Sequence, residues 1–316
     1  MKLNNILVAV SFSERSIDAV RKAVRLAADR DAGITLLHVL EPVKRHGVRR
    51  LSDQQALLRA RMTQARKELA RYAGEIAAKD RLPVSFRIEI GERVSSIARA
   101  CEEADLLVIG GTQMRGLAAA FHRSTAERLA GICRVPILVV NGPHEGRYAR
   151  ALVPVDGDYE SVSALSAVAQ LWPHAELTLF HAMDTRQEQL MRMHDVPLWV
   201  VRKRQTLRMA RGLNYLKALA ARAEVSTKSI AFRLAYGDAW RAVLSMQNEL
   251  DAQIVVMMKR EASALIDFIP GGTVRHLLTR LRCDVLLTPD PARSRAARGR
   301  MAHEQSRHPM DLLMSS

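Results

Sequence analysis

The apolar segment at residues 34–39 reads Ile34-Thr35-Leu36-Leu37-His38-Val39, and nearly the same segment returns as Leu177-Thr178-Leu179-Phe180-His181-Ala182. Both are short, continuous runs rich in large apolar side chains, which is typical of a strand buried on both faces of a parallel sheet. Recurrence of such a run about one domain length later indicates an internal repeat. We therefore expect the chain to contain the same fold twice.

Four further pairs of segments repeat in the same order along the chain. The two copies lie at residues 6–10 and 151–156, 84–91 and 230–237, 106–109 and 254–257, and 135–138 and 283–286. A matching order over most of the chain indicates a tandem duplication. The length of 316 residues agrees with this, since one domain typically takes roughly 100–200 residues.

Patterns typical of helices separate these apolar runs. The longest is a stripe of apolar residues spaced by four and three, as one face of a helix requires: Leu58, Met62, Ala65, Leu69, Tyr72 and Ile76. Ser13 and Asp158 stand where the first helix of each half should begin, and both residue types favour the N-cap position. The alternation predicts an α/β fold of two tandem open, doubly wound parallel sheets, each with five strands and helices on both faces. A ligand crevice in such a sheet lies at the carboxyl ends of the strands, where the strand order reverses.

The boundaries of the two domains follow from a turn-rich junction at residues 141–146. We expect one domain at residues 1–143 and a second at 147–290. The short connection between them should hold the halves close enough for edge strands or helices to pack together. Residues 291–316 carry several arginines and no periodic apolar face, which predicts a basic, disordered tail with a short helix at 310–314.

The composition argues against several classes of protein. Lysine and arginine total 48 against 33 acidic residues, and the formal net charge of +15 favours attraction to anionic partners. An aromatic content of 4% argues against a base-stacking platform for single-stranded nucleic acid. The cysteines (Cys101, Cys133 and Cys283) are odd in number and far apart, so we expect reduced, buried thiols and no disulfide framework. No apolar run approaches the roughly 18 residues of a membrane-spanning helix and none resembles a signal peptide, so the cytoplasm is the expected compartment.

The common catalytic signatures are missing from the sequence. These include the phosphate-loop, dinucleotide-binding, nucleophile-elbow and zinc-protease motifs, and no histidine stands at metal-ligand spacing from a cysteine. His38 and His181 occupy equivalent positions near the ends of the second strands. Proton transfer is one interpretation of them, and packing with hydrogen bonding is the other. The sequence predicts a protein with no enzymatic activity and no metal site.

The chain resembles the universal stress protein family in its tandem, two-domain (E-type) form over about residues 3–289. The likeness rests on the first strand, the second strand at 34–39, the fourth strand at 105–110, and the last helix and strand at 124–140. It implies the universal stress protein fold, similar to that of the adenine-nucleotide α-hydrolases. It also implies a role in stress response and survival through protein contacts, with self-association as a homodimer.

Some members of that family bind ATP through a loop of glycine, two residues, glycine, nine residues, then glycine with serine or threonine. Such a loop brings backbone N–H groups close to the phosphates at a helix N-terminus. In the first half, Gly111 and Ser124 match the ends of this loop. Met114 and Arg123 replace its other two glycines, and Ser11 replaces the family's aspartate at the end of the first strand. The first-half loop is therefore expected to be degenerate.

The second half keeps more of the resemblance. Asp156 stands at the end of its first strand, and Gly272-Thr273 closes the loop. The start of the loop, Met258-Lys259-Arg260, lacks the first two glycines, so we expect no bound cofactor. Two alternatives stay open: an ATP-responsive switch that uses Asp156, Gly272 and Thr273, and an apolar ligand near the methionines at the strand ends (Met183, Met257 and Met258).

Two equivalent regions of the halves are strongly basic. Residues 44–71 carry nine lysines and arginines against two acids, and residues 202–222 carry seven against none. One interpretation is an adaptor surface for nucleic acid or an anionic membrane. The other is the solvated face of two long helices, since neither region contains a nucleic-acid-binding motif.

Overall fold

The computed structural model describes residues 2–42, 51–111, 124–142, 146–155, 162–194, 196–225, 230–258 and 273–289. Elements of the first half are β1 (Asn5–Ala9), α1 (Glu14–Ala28), β2 (Gly33–Leu40), α2 (Leu51–Asp80), β3 (Val84–Ile90), α3 (Arg93–Ala100), β4 (Leu106–Gly110), α4 (Thr125–Ile132) and β5 (Ile137–Val140). A single 3-10 turn, Cys101–Glu103, follows α3.

The second half repeats this order, with one further short helix after its second strand. Its elements are β6 (Arg150–Val155), α5 (Val162–Leu171), β7 (Glu176–Met183), α6 (Arg186–Met193), α7 (Leu198–Arg222), β8 (Ile230–Tyr236), α8 (Ala239–Leu250), β9 (Ile254–Met258), α9 (Thr273–Arg280) and β10 (Asp284–Thr288). Every repeated apolar segment of the sequence overlaps a strand, and the two copies of each segment fall on equivalent strands of the two halves. The predicted duplication and the predicted alternation of strands and helices are confirmed.

All ten strands belong to one sheet, in the order β3-β2-β1-β4-β5-β10-β9-β6-β7-β8. Strands within each half are parallel, and each half has the same internal order. The halves meet where β5 and β10 pair antiparallel, with Val139 opposite Val285. This pairing joins the two predicted five-stranded units into one continuous sheet and covers the edge that each unit would otherwise expose. The strand order reverses between β1 and β4 and between β6 and β9, which places one switch point in each half.

The helix signals in the sequence hold where the structure describes them. Ser13 caps α1, since its Oγ accepts a hydrogen bond from the Ser16 N–H at 3.4 Å. On α2, Ala65, Leu69 and Ile76 of the apolar stripe are buried, whereas the Met62 side chain is 37% exposed. Asp158, residues 44–50 and the predicted tail at 291–316 lie outside the described residues.

Apolar clusters on the two faces of the sheet each run through both halves. One cluster includes Ile6 and Val8 of β1 together with Val153 of β6. The other includes Leu7 of β1 and Leu152 of β6. Since successive side chains of a strand point to opposite faces, this alternation explains why the sequence reads as continuous apolar runs. The shared clusters make the two halves one packed unit.

A buried polar cluster lies at the seam between the halves. The Asp284 carboxylate of β10 accepts hydrogen bonds from the Asn141 N–H at 2.8 Å and from the Tyr148 hydroxyl at 2.5 Å. Lys22 of α1 places its Nζ 3.5 Å from Asp284 and 4.4 Å from the centre of the Tyr148 ring. Burial lowers the pKa of Lys22, an effect that the charge of Asp284 opposes. Burial also raises the pKa of Tyr148 well above 10.

A second contact across the seam involves Arg30, which follows α1. Its Nη2 donates hydrogen bonds to the carbonyls of Gln170 at 2.5 Å and Leu171 at 2.6 Å, at the C-terminal end of α5. A cation there satisfies carbonyls that have no partner within the helix and opposes the negative end of the helix dipole. Arg147 adds an ion pair with Asp29 at 2.6 Å.

Within the described ranges, no helix is both long enough and apolar enough to cross a membrane.

Candidate functional site

The first candidate site lies at the carboxyl ends of β1 and β4, at the switch point of the first half. Gly110 ends β4, and a Cβ atom there would come within 2.8 Å of the Arg15 carbonyl group. The first turn of α1 therefore packs directly against the end of β4. Glycine is required at this position because any larger residue would push the helix off the strand.

Gly111 stands at the switch point, where the sequence predicts the start of a phosphate loop. Its N–H donates to the Val140 carbonyl at 2.7 Å, and its own carbonyl accepts from Arg15 Nη1 at 3.3 Å. A Cβ at this residue would meet Asn141 Oδ1 at 1.9 Å. Both backbone polar groups of Gly111 are thus used inside the protein, and close packing against Asn141 accounts for the glycine.

Ser124, the other predicted first-half residue, begins α4 as its N-cap. Its Oγ accepts a hydrogen bond from the Glu127 N–H at 3.1 Å, and the side chain is buried. A helix N-terminus offers N–H groups to an anion. The hydroxyl of Ser124 is already committed to one of them. Met114 and Arg123, which replace the loop glycines, lie outside the described residues.

Ser11 occupies the position of the expected aspartate at the end of β1. It is exposed, and its Oγ lies 3.0 Å from the Oγ of Ser13. Phe12, between them, adopts the left-handed backbone region with φ of 59°, which is costly for a bulky residue. The Phe12 ring lies 4.7 Å from the His38 ring, so an aromatic side chain lies beside the end of β2.

The two histidines at equivalent positions make the same hydrogen bond. His38 Nδ1 lies 2.7 Å from the Val10 carbonyl, and His181 Nδ1 lies 2.9 Å from the Val155 carbonyl. Each bond ties the end of the second strand of its half to the end of the first. Burial lowers the pKa of His38, with smaller contributions from Arg61 and Arg93, while the hydrogen bond to Val10 opposes the shift.

The second candidate site is described only in part. Helix α9 begins at Thr273, whereas Asp156 and Gly272 lie outside the described residues. Of the three methionines, Met257 belongs to one of the apolar clusters and Met183 is buried against Gly212, with its Sδ 3.8 Å from the position of a Cβ there. Met258 is half-buried at the end of β9.

The rim of the first crevice contains an ion pair that the sequence does not predict. Glu92 caps α3 by accepting from the Ser95 N–H at 2.8 Å, and its other oxygen accepts from Arg128 of α4 at 2.8 Å. The hydrogen bond from the Ser95 N–H is the main cause that lowers the pKa of Glu92 to about 2. The sequence does contain a signal for this acidic position, because an acidic residue follows the repeated glycine at both Gly91 and Gly237.

In the second half the corresponding rim is aromatic. The ring of Trp240 on α8 stacks on His276 of α9 at 4.8 Å, and the Arg280 guanidinium lies 4.5 Å from the Trp240 ring. Burial lowers the pKa of His276, and the charge of Arg280 lowers it further. The two halves therefore differ in the side chains at this rim, while their strands have kept the same order.

The described part of the chain contains all three cysteines, and none of them forms a disulfide. No group of three histidine, cysteine, aspartate or glutamate side chains there is placed to hold a metal ion. Cys101 and Cys133 are buried thiols whose sulfur atoms lie 3.7 Å apart, although 32 residues separate them. Cys283 is partly buried, and burial raises its pKa to about 12.

The predicted basic regions differ in how their charge is compensated. On α2, Arg71 pairs with Glu68 at 3.2 Å and Glu75 at 2.7 Å. On α7, Arg202, Lys203 and Arg211 are exposed. Residues 202–222 contain seven cations and no acid, and Arg208 among them pairs with Glu188 of α6, so the second region is the more strongly cationic of the two in the described ranges.

Comparison with known proteins agrees with this architecture. The profile of the Universal stress protein family matches residues 2–141 and again residues 147–289. A universal stress protein of Mycolicibacterium smegmatis (strain ATCC 700084 / mc(2)155) is 28% identical over 208 residues, which is 62% of this chain and 64% of that relative. The alignment thus spans less than two thirds of the relative's length.

Two solved structures share the fold over nearly the whole chain. A universal stress protein from Archaeoglobus fulgidus DSM 4304 superposes with a TM-score of 0.70 at 17% identity, covering 91% of this chain and 96% of that one. A protein of unknown function from Pseudomonas aeruginosa PAO1 gives 0.59 at 18% identity, covering 95% and 98%. With a family match in each half and one shared fold, the chain belongs to the universal stress protein family as a tandem member.

Proposed function

We propose that this protein acts in the stress response without catalysing a reaction, through contacts with protein partners or with a second copy of itself, and that its first-half crevice holds no nucleotide. Membership of the universal stress protein family supports the stress-response role. The observation that carries the proposal is the hydrogen bonding of the Gly111 backbone. Its N–H, the group that could donate to a phosphate, already donates to the Val140 carbonyl, and Arg15 ties the Gly111 carbonyl to the first turn of α1.

Two further features support the same proposal. Ser11 brings no carboxylate to the position from which the family's aspartate faces a nucleoside, and its hydroxyl lies beside Ser13. Ser124 uses its hydroxyl to cap α4. Among the crevice residues that the structure describes, the Gly111 N–H, the Ser11 hydroxyl and the Ser124 oxygen thus contact the protein itself, as expected of a site that serves packing.

A nucleotide-responsive second half is the alternative function. Its support is that α9 begins at Thr273, so that the positive end of the helix dipole directly follows Gly272 in the chain. Asp156 completes the set of residues that would take part. In this alternative ATP binds the second half alone and changes which partners the protein contacts.

Calorimetric titration with Mg-ATP, together with native mass spectrometry of the gently purified protein, tests both functions. We expect no saturable heat and no bound nucleotide, with a mass that corresponds to two chains of 35.3 kDa. Saturable binding that Gly272→Val abolishes, without a change in thermal unfolding, would overturn the proposal in favour of the switch. Binding that survives Gly272→Val and is lost in Gly111→Val would instead locate a nucleotide in the first half, and would also contradict the proposal.

A further inference from the structure

Exposed large apolar side chains concentrate at one corner of the second half. Leu190 and Met193 on the last turns of α6 are 53% and 77% exposed, and Leu198 and Trp199 on the first turn of α7 are 62% and 67% exposed. Single exposed apolar residues are ordinary on protein surfaces. A group of four within ten residues marks an interaction site. We refer to these four residues, with the adjoining Arg202 and Lys203, as the α6–α7 tip.

The tip is fixed to the body of the protein. Arg208 of α7 pairs with the buried Glu188 of α6 and also donates to the Asp184 carbonyl at 2.9 Å. Farther along α7, Leu216 and Leu219 are buried in the apolar cluster that also contains β6 and β7 residues. The exposed side chains of the tip are therefore carried by a helix pair that is anchored to the rest of the protein.

The charges around the tip are mainly positive. Arg202 and Lys203 are exposed one turn after Trp199, and α7 continues with further exposed cations. Of the acids near the tip in sequence, Glu188 of α6 is buried and paired with Arg208, so its charge is compensated inside the protein, and Asp195, between the two helices, lies outside the described residues. An apolar end is thus followed by a layer of cations along the same helix.

We propose that the α6–α7 tip docks on an anionic phospholipid membrane surface. In this arrangement Leu198, Trp199 and Met193 enter the boundary between headgroups and acyl chains, where tryptophan and large aliphatic side chains are favoured. Arg202 and Lys203, one turn behind them, lie at the level of the lipid phosphates. Apolar side chains thus come first along the helix and cations follow, which is the order of acyl chains and phosphates from the interior of a bilayer to its surface.

Other occupants fit these side chains less well. A second copy related by a two-fold axis would place the same cations opposite each other, which costs Coulomb energy at the contact. A nucleic acid would satisfy the cations. It would leave Leu190, Met193 and Leu198 without an apolar partner, because a nucleic acid binds a basic surface mainly through its phosphates.

Co-sedimentation of the full chain with vesicles tests the proposal. We expect binding to phosphatidylcholine vesicles that contain phosphatidylglycerol and none to pure phosphatidylcholine, with affinity that falls as salt is added. Arg202→Gln with Lys203→Gln should weaken binding about 30-fold, since each cation near an anionic surface contributes about 1 kcal/mol and 1.4 kcal/mol is a factor of ten. Trp199→Ser should weaken it about ten-fold or more, because a large apolar side chain no longer leaves water.

Matched variants on α2 serve as controls. Leu57→Ser and the pair Arg66→Gln with Lys67→Gln change the same kinds of exposed side chain on the other long helix, and should leave vesicle binding unchanged. Thermal unfolding of every variant checks the fold.

Three results would overturn the proposal. The first is no binding to phosphatidylglycerol vesicles, and the second is an equal loss of binding in the α2 variants. The third is a wild-type dimer that Trp199→Ser converts to a monomer while vesicle binding stays unchanged, which would make the tip an interface between copies. Docking of the tip does not depend on whether either crevice holds a nucleotide.

Discussion

The Nζ of Lys22 lies 3.5 Å from the Oδ2 of Asp284, so a lysine of the first half and an aspartate of the second form an ion pair inside the protein. Burial of two charges is costly unless each is paired and hydrogen-bonded. Here Asp284 also accepts from Tyr148 and from the Asn141 N–H. This cluster connects α1, the junction between the halves and β10, and it fixes how the two halves meet.

Removal of the carboxylate should therefore destabilise the whole protein. In Asp284→Asn, Lys22 stays buried without its counter-charge, and we expect the free energy of unfolding to fall by about 3–5 kcal/mol. Urea denaturation followed by circular dichroism measures the change. Arg71→Gln, which breaks an exposed pair on α2, is the control and should leave the midpoint close to wild type. A loss in Asp284→Asn no larger than in this control would mean that the buried pair does not hold the seam.

Two glycines should respond to alanine in opposite directions. In Gly110→Ala the new Cβ would lie 2.8 Å from the backbone of Arg15, so α1 must shift, and we expect a loss of about 1–3 kcal/mol in the free energy of unfolding. Gly74 lies inside α2 with open space around its Cβ position. Because alanine has the higher helix propensity, Gly74→Ala should gain about 0.5–1 kcal/mol. Thermal or urea unfolding of both variants decides, and a gain in Gly110→Ala would disprove the close approach of α1 to β4.

The sequence predicts those parts of the fold that depend on local pattern. Strand order along the chain, the α2 stripe and the Ser13 cap all follow from periodicity and residue type. The duplication can be recognised in the sequence because both copies retain the apolar residues of their buried strands. The loop motif of the family that the chain resembles singles out Gly111 and Ser124, and the structure has them directly after β4 and at the N-cap of α4.

Contacts between residues far apart in the chain are not predictable in this way. The pairing of Lys22 with Asp284 requires β5 and β10 to meet antiparallel, and the sequence around either residue does not predict this strand pairing. Likewise Cys101 and Cys133, which lie 32 residues apart in the sequence, touch because α3 and α4 pack side by side. The bond from Arg15 to the Gly111 carbonyl is of the same kind. It ties the end of β4 to the first turn of α1, and it appears only when α1 is placed on β4.

Glu92 should make stability depend on acid pH. Its pKa is about 2 in the folded protein against an ordinary value of 4.5, so its stabilising contribution is complete above pH 4.5 and is lost as the pH falls towards 2. The difference in urea midpoint between wild type and Glu92→Gln should therefore open as the pH rises from 2 to 4.5, and stay constant above that. Arg128→Gln should keep most of this pH dependence, since the Ser95 N–H is the larger cause. If Arg128→Gln removed it entirely, the ion pair and not the helix cap would be responsible.

His38 should titrate below the ordinary histidine value of 6.5, chiefly because it is buried. The unfolded chain then takes up the proton first as the pH falls, so the folded state loses stability from pH 6.5 down to the folded-state pKa and no further. Imidazole resonances followed by NMR give the midpoint, and the signal absent from His38→Gln identifies the residue. Arg93→Gln removes a nearby positive charge and should raise the midpoint. A midpoint at or above 6.5 would mean that the ring is solvated, and that its bond to the Val10 carbonyl does not hold it between the strand ends.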